Sequence, residues 1–158
     1  MTADHVRFAL SSAEIRQLRT LLHEFIGLLR DPDEALDHAL APSTYPDDQE
    51  ADAAFRAATT GGLRRRREQD ADRVLTDLAG GGSPGSAGSG RGARTMIVDR
   101  DGAAAWMRTL TALRLALATR LGEHRGDDPE PDPDDAGHVV YEWLGYRLDA
   151  LVRAVDDG

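Results

Sequence analysis

Apolar residues recur at three- and four-residue steps along most of the chain. Ile15, Leu18, Leu22, Phe25 and Leu29 form one stripe, and Trp106, Leu110, Leu113, Leu117 and Leu121 form a second. Val140, Leu144, Leu148, Leu151 and Val155 form a third. Each stripe predicts an amphipathic helix. Their starts carry caps. Ser11 followed by Glu14 fits a capping box, Asp99 or Asp101 can cap the second helix, and Asp134 or Asp135 the third. Asp31-Pro32 ends the first helix and opens a short one carrying Leu36 and Leu40, followed by a turn over 42–48. An Ala-rich helix is expected over 49–58, a break or kink at Thr59-Thr60-Gly61-Gly62, and a further helix from Leu63 to Leu78.

The period changes from helical to alternating in two places. Val6 to Leu10 and Met96 to Val98 read as short strands, each directly preceding a capped helix. A shift of 88 residues lays Ser11 on Asp99, Leu18 on Trp106, Leu22 on Leu110, Phe25 on Leu113 and Leu29 on Leu117. This fits a diverged internal repeat whose strands pair as a ribbon. It also fits two amphipathic helices that align by chance. The fold class that results is mostly α: one domain over 1–158, a bundle of five or six helices with a small two-stranded β-ribbon. A flexible Gly/Ser loop at 80–93 and an acidic, Pro-rich loop at 122–135 interrupt it.

Composition narrows the classes. The 158 residues carry 28 acids against 19 bases, a net charge of −9. Such a chain repels nucleic acid and anionic membrane as a whole, which excludes a histone-like binder. Every basic residue is Arg, and Lys, Asn and Cys are absent. Without Cys there is no disulfide, thiolate nucleophile or Cys-ligated metal. No apolar run approaches the ~18–20 residues that span a bilayer, and the N-terminus lacks a signal-peptide pattern. A cytoplasmic protein is expected.

Three groups of residues could carry function. Arg64, Arg65, Arg66 and Arg67 form the one basic block, read either as a contact for DNA or an acidic partner, or as a solvated face with Arg64–Glu68 and Arg66–Asp70 pairs. Glu34 with His38 and His138 with Glu142 stand four residues apart on helices, the spacing of a metal or acid–base pair. Neither pair carries a further ligand motif, so surface polar pairs are the favoured reading. His5, His23 and His124 stand alone, and Asp132 to Asp135 lacks the Gly and Glu of a calcium loop. No nucleophile elbow, Walker loop or dinucleotide fingerprint appears, so no metal or cofactor is expected and an enzyme is the least supported class. On the last helix, Val139, Trp143, Tyr146 and Ala150 form a second apolar stripe roughly 120° from the first. Trp143 and Tyr146 are therefore candidates to face a partner or a second copy, with burial in the core as the rival reading.

Three segments carry a family resemblance: YPDDQEADAAFRAATTGGLRRRREQDADRVLTDL from Tyr45, IVDRDGAAAWMRTLTALRLALATRLG from Ile97, and VYEWLGYRLDALVRAV from Val140. Their order and wording resemble the AosR-like family of actinobacterial proteins, formerly a domain of unknown function and described as oxidative-stress transcriptional regulators. The resemblance implies a cytoplasmic regulator of redox homeostasis that contacts a sigma factor or RNA polymerase, with DNA a weaker partner because no helix-turn-helix is evident. Thiol sensing cannot operate in a chain without Cys; its sulfur lies in Met1, Met96 and Met107. The alternative is a helical adaptor or scaffold with no role in transcription.

Overall fold

The computed structural model describes residues 4–31, 34–41, 43–80, 92–125 and 135–158, with side chains at 123–125 set aside. In chain order these form β1 (His5–Ser11), α1 (Ser12–Arg30), α2 (Glu34–Leu40), α3 (Gln49–Gly80), β2 (Ala93–Asp99), α4 (Arg100–Arg125) and α5 (Ala136–Asp156). The domain is mostly α, with five helices and one antiparallel ribbon.

The ribbon organises the rest. His5 pairs with Asp99, Phe8 with Met96 and Ser11 with Ala93. Alternation puts Val6 and Leu10 of β1, and Met96 and Val98 of β2, into the core, while Arg7 and Ile97 face outward. The 88-residue shift carries β1 onto β2 residue for residue and the start of α1 onto that of α4. It also carries Phe8 onto Met96, the pair at the middle of both strands. Antiparallel pairing about that point creates a local two-fold relating the two strand–helix units. Leu18, Leu22 and Phe25, and their counterparts Trp106, Leu110 and Leu113, are all buried.

Local chemistry starts each helix. Ser11 closes a full capping box with Glu14 on α1. Asp99 Oδ1 accepts from Gly102 N at 2.6 Å, and Asp135 Oδ1 from Gly137 N at 3.0 Å, which resolves both pairs of alternatives. Gly92 sits at φ 79, a left-handed conformation that favours glycine, and its carbonyl accepts from Ser12 N at 2.8 Å and Ser12 Oγ at 2.7 Å. The chain entering β2 is thereby tied to the start of α1.

Trp106 is the largest fully buried side chain. Its ring meets Phe8 edge-on at 4.9 Å, and its indole N–H donates to Asp77 Oδ2 at 2.9 Å. Three elements, β1, α3 and α4, therefore meet at one residue. Gly145 on α5 lies under the Arg114 guanidinium, where an added Cβ would come within 2.9 Å of Nη2. Arg114 also stacks on Tyr141 at 4.3 Å, so a missing side chain at 145 lets α5 close onto α4.

Several expected boundaries differ. Thr59-Thr60-Gly61-Gly62 does not break α3, which runs unbroken for 32 residues. The Thr59 and Thr60 hydroxyls donate back to the carbonyls of Phe55 and Arg56, at 2.8 and 2.5 Å, so they are satisfied within the helix instead of capping a break. On the far side Arg64 grips Asp37 of α2, fastening the helix beyond the glycines. Likewise α4 continues through Gly122 to Arg125, with Leu121 held against Gly137, and Gly80 still belongs to α3. Ala93 opens β2 and pairs with Ser11 instead of closing the first expected loop; residues 81–91 and 126–134 of the two loops lie outside the described residues.

Nothing lies within 4 Å of a Cβ built on Gly61. Gly61→Ala should therefore stabilise the protein by about 0.5–1 kcal/mol, through helix propensity alone. Urea denaturation measures this; a loss of stability would contradict a continuous α3.

Candidate functional site

The most connected polar group is the Glu14 carboxylate. Its Oε2 accepts from the Ser11 backbone N–H at 2.8 Å, completing the cap of α1. Its Oε1 accepts from Trp143 Nε1 at 3.0 Å and from Arg147 Nε at 2.6 Å, with Arg147 Nη2 also in contact. Arg147 Nη1 reaches the Ala9 carbonyl at 3.2 Å. One corner thus joins β1, α1 and α5. Burial pushes the Glu14 pKa up, but the hydrogen bonds from Ser11, Trp143 and Arg147 and the charge of Arg147 outweigh it, holding the carboxyl below its ordinary value.

This geometry divides the two aromatics expected to face a partner. Trp143 is half-buried against the core and hydrogen-bonded to Glu14, so it belongs to the fold. Tyr146 is 66% exposed, with Val139 on the same face 55% exposed. The second stripe of α5 is therefore part seam and part open surface.

The four arginines are divided too. Arg64 forms a two-pronged ion pair with Asp37, one prong at 2.9 Å, and both groups are half-buried. Arg67 is half-buried and donates to the Leu40 carbonyl; burial lowers its pKa, opposed by the charge of Asp37. Both tie α2 to α3. Arg65 and Arg66 are exposed. The acids expected to pair within the helix are held across helices: Glu68 by Arg30 at 2.8 Å, and Asp70 by both prongs of Arg108 at 2.8 and 2.9 Å. Guanidinium forks on neighbouring helices offer better geometry than the base-first i,i+4 arrangement. The block is not one continuous basic face.

Two clefts flank α3. One, of about 610 Å³, opens between α3 and α4 over an apolar floor of Leu40, Leu63, Met107, Ala112 and Leu115, with Arg66, Arg67, Asp70 and Arg108 at its rim. The other, of about 550 Å³, lies between α2 and α3 and is polar. It contains Glu34 and His38, but its other acids are engaged. Asp37 holds Arg64, and Asp52 accepts from the Thr44 and Tyr45 N–H groups and from Arg56. The bond from Tyr45 N–H does most to lower the Asp52 pKa, to about 2. His138 lies 3.9 Å from Glu142 on α5. Among the described residues, no three His, Asp or Glu side chains gather in a group that could hold a metal ion. His5, His23 and His38 are exposed, and the His124 side chain lies outside the described residues.

Sequence reading missed Arg147 and Asp77 altogether. Arg147 follows Trp143 by four residues, so both share a helix face. That spacing was the one visible signal that they converge on a single acceptor.

Fold and site together define a mostly-α domain built on a pseudo-two-fold strand–helix ribbon, in which the carboxylates of Glu14, Asp37, Glu68, Asp70 and Asp77 tie elements together. The chain belongs to the family Domain of unknown function (DUF2017), whose model matches residues 1–155. The match names no activity and does not link the chain to the AosR-like regulators. Neither the curated proteins nor the solved structures contain a match.

Two outcomes follow. Because the folded-state pKa of Glu14 lies below its ordinary 4.5, the carboxylate stabilises the fold above that pH and this contribution is lost as pH falls through the folded value. Glu14→Gln should cost about 1.5–3 kcal/mol at pH 7 and flatten the acid side of the stability profile; an unchanged profile would contradict it. Arg64→Ala should destabilise by about 1–2 kcal/mol, whereas Arg65→Ala should stay within about 0.5 kcal/mol. Equal effects in chemical denaturation would show that the block acts as one face.

Proposed function

We propose that this domain is a non-catalytic, cytoplasmic regulator of transcription in the oxidative-stress response, acting through contact with a protein such as a sigma factor or RNA polymerase. The observation that carries this reading is the division of α5. Trp143 and Arg147 lock the helix to Glu14, which presents Tyr146 and Val139 rigidly to solvent. An aromatic anchor on a fixed helix face binds protein at low entropic cost. The Arg147 guanidinium lies 5.6 Å from the Tyr146 ring and helps fix it.

The direction toward transcription comes from the AosR-like resemblance. The −9 charge and the internal use of Arg64 and Arg67 favour a protein partner over direct operator binding. The commitment of Asp37, Asp52, Asp70 and Glu14 to structural bonds argues against a catalytic role for them.

Binding of the purified chain to purified RNA polymerase and sigma factors tests the proposal. Tyr146→Ala should weaken binding about tenfold or more while leaving the denaturation midpoint unchanged. No binding to either protein, or binding that ignores Tyr146, would overturn the reading in favour of an adaptor acting elsewhere.

A further inference from the structure

Along its inward stripe α3 carries a charge where packing calls for an apolar side chain. Leu63, Arg67, Ala71, Val74 and Leu78 follow one another at steps of three and four residues, so they share a face. Ala71, Val74 and Leu78 are buried in the core. Arg67 and Leu63, one and two turns earlier, line the cleft that opens between α3 and α4. At 67 the stripe thus places a guanidinium, and the helices stay open over a floor of Leu40, Met107, Ala112 and Leu115.

No carboxylate answers that charge by direct contact. Arg67 is half-buried, and its hydrogen bond goes to the Leu40 carbonyl, a neutral group. Asp37, whose charge reaches Arg67, is bonded to Arg64. Glu68 is held by Arg30, and Asp70 by both prongs of Arg108 from the opposite wall of the cleft. Arg66, beside Arg67 on the same rim, makes no hydrogen bond or ion pair among the described residues. Two cations without a carboxylate in contact therefore border the apolar floor, in a chain whose net charge is −9. Withdrawing part of a cation from water without an anion costs free energy, and a bound anion of fitting shape offsets that cost.

We propose that the cleft between α3 and α4 binds a small amphipathic anion, with an apolar chain along Leu40, Met107 and Leu115 and a carboxylate or phosphate head at Arg66 and Arg67. The cleft volume of about 610 Å³ falls within the range of roughly 300–1,000 Å³ common to small-molecule sites. The apolar floor supplies affinity without direction. The two cations at one edge supply the direction, because a guanidinium fork offers parallel N–H donors to either head. A cationic amphiphile would set like charges together. This site is separate from Tyr146 and Val139 and does not rest on the protein contact proposed for α5.

Isothermal titration calorimetry of the full chain with decanoate and with decyl phosphate, each below its micelle concentration, tests the proposal and separates the two heads. One saturable site is expected for at least one of them, weakened by raised salt. Acetate and inorganic phosphate, heads without a chain, should give no binding, and decyltrimethylammonium should bind about tenfold more weakly or worse. Arg66→Gln and Leu115→Glu should each weaken binding about fivefold or more without lowering the denaturation midpoint. Arg65→Gln, exposed on the same helix but away from the cleft, should leave binding unchanged. Absence of saturable binding, equal affinity for the cationic amphiphile, or indifference to both cleft variants would overturn the proposal. So would sedimentation with phosphatidylglycerol vesicles by a chain that binds neither free amphiphile, which would make this face a membrane contact.

Discussion

The Glu14 carboxylate is the point on which the arrangement of elements turns. Its two oxygens do different work: one finishes the start of α1, and the other receives Trp143 and Arg147 from the far end of the chain. A half-buried carboxylate is costly unless its lone pairs are used, and here four donors use them. Because Arg147 also reaches the Ala9 carbonyl, the first strand, the first helix and the last helix are fixed relative to one another at a single corner. Without it, α5 would retain its apolar stripe on α4 but lose what sets its rotation against the ribbon.

Similar ties recur across the molecule. Arg64 joins α3 to α2, Arg30 joins α1 to α3, and Arg108 joins α4 to α3. In a chain whose bases are all Arg, the planar guanidinium suits two-pronged pairing better than an ammonium would. The exposed pairs, such as Arg100 with Asp4, contribute little to stability. The half-buried ones fix orientation. Once these charges are engaged inside the fold, the surfaces left for other molecules are defined mainly by what projects beyond them. These are Tyr146 and Val139 on α5, and the apolar cleft between α3 and α4.

What was readable in the sequence was local. Both strands, the Ser11–Glu14 cap, the end of α1 at Asp31 and the core stripes each arise within a few residues, so short-range pattern suffices. Pairing of the strands followed from their shared position before capped helices. The Thr-Thr-Gly-Gly segment misled, because low helix propensity signals a break only when nothing else holds the helix; here the Asp37–Arg64 tie does, just beyond the glycines. The functional candidates were harder to read. A stripe at helical spacing does not reveal which of its members a neighbour covers, so Trp143 and Tyr146 looked equivalent until α1 was placed. The Glu14 corner joins residues more than a hundred positions apart, and no local pattern encodes that distance.

A double-mutant cycle on Glu14→Gln and Arg147→Met, followed by denaturation at neutral pH, tests the role of this corner most directly. A coupling energy of about 1–3 kcal/mol is predicted, because the two side chains act through one shared contact. Effects that add to within about 0.5 kcal/mol would contradict it, and would mean that α5 is positioned by its apolar stripe alone.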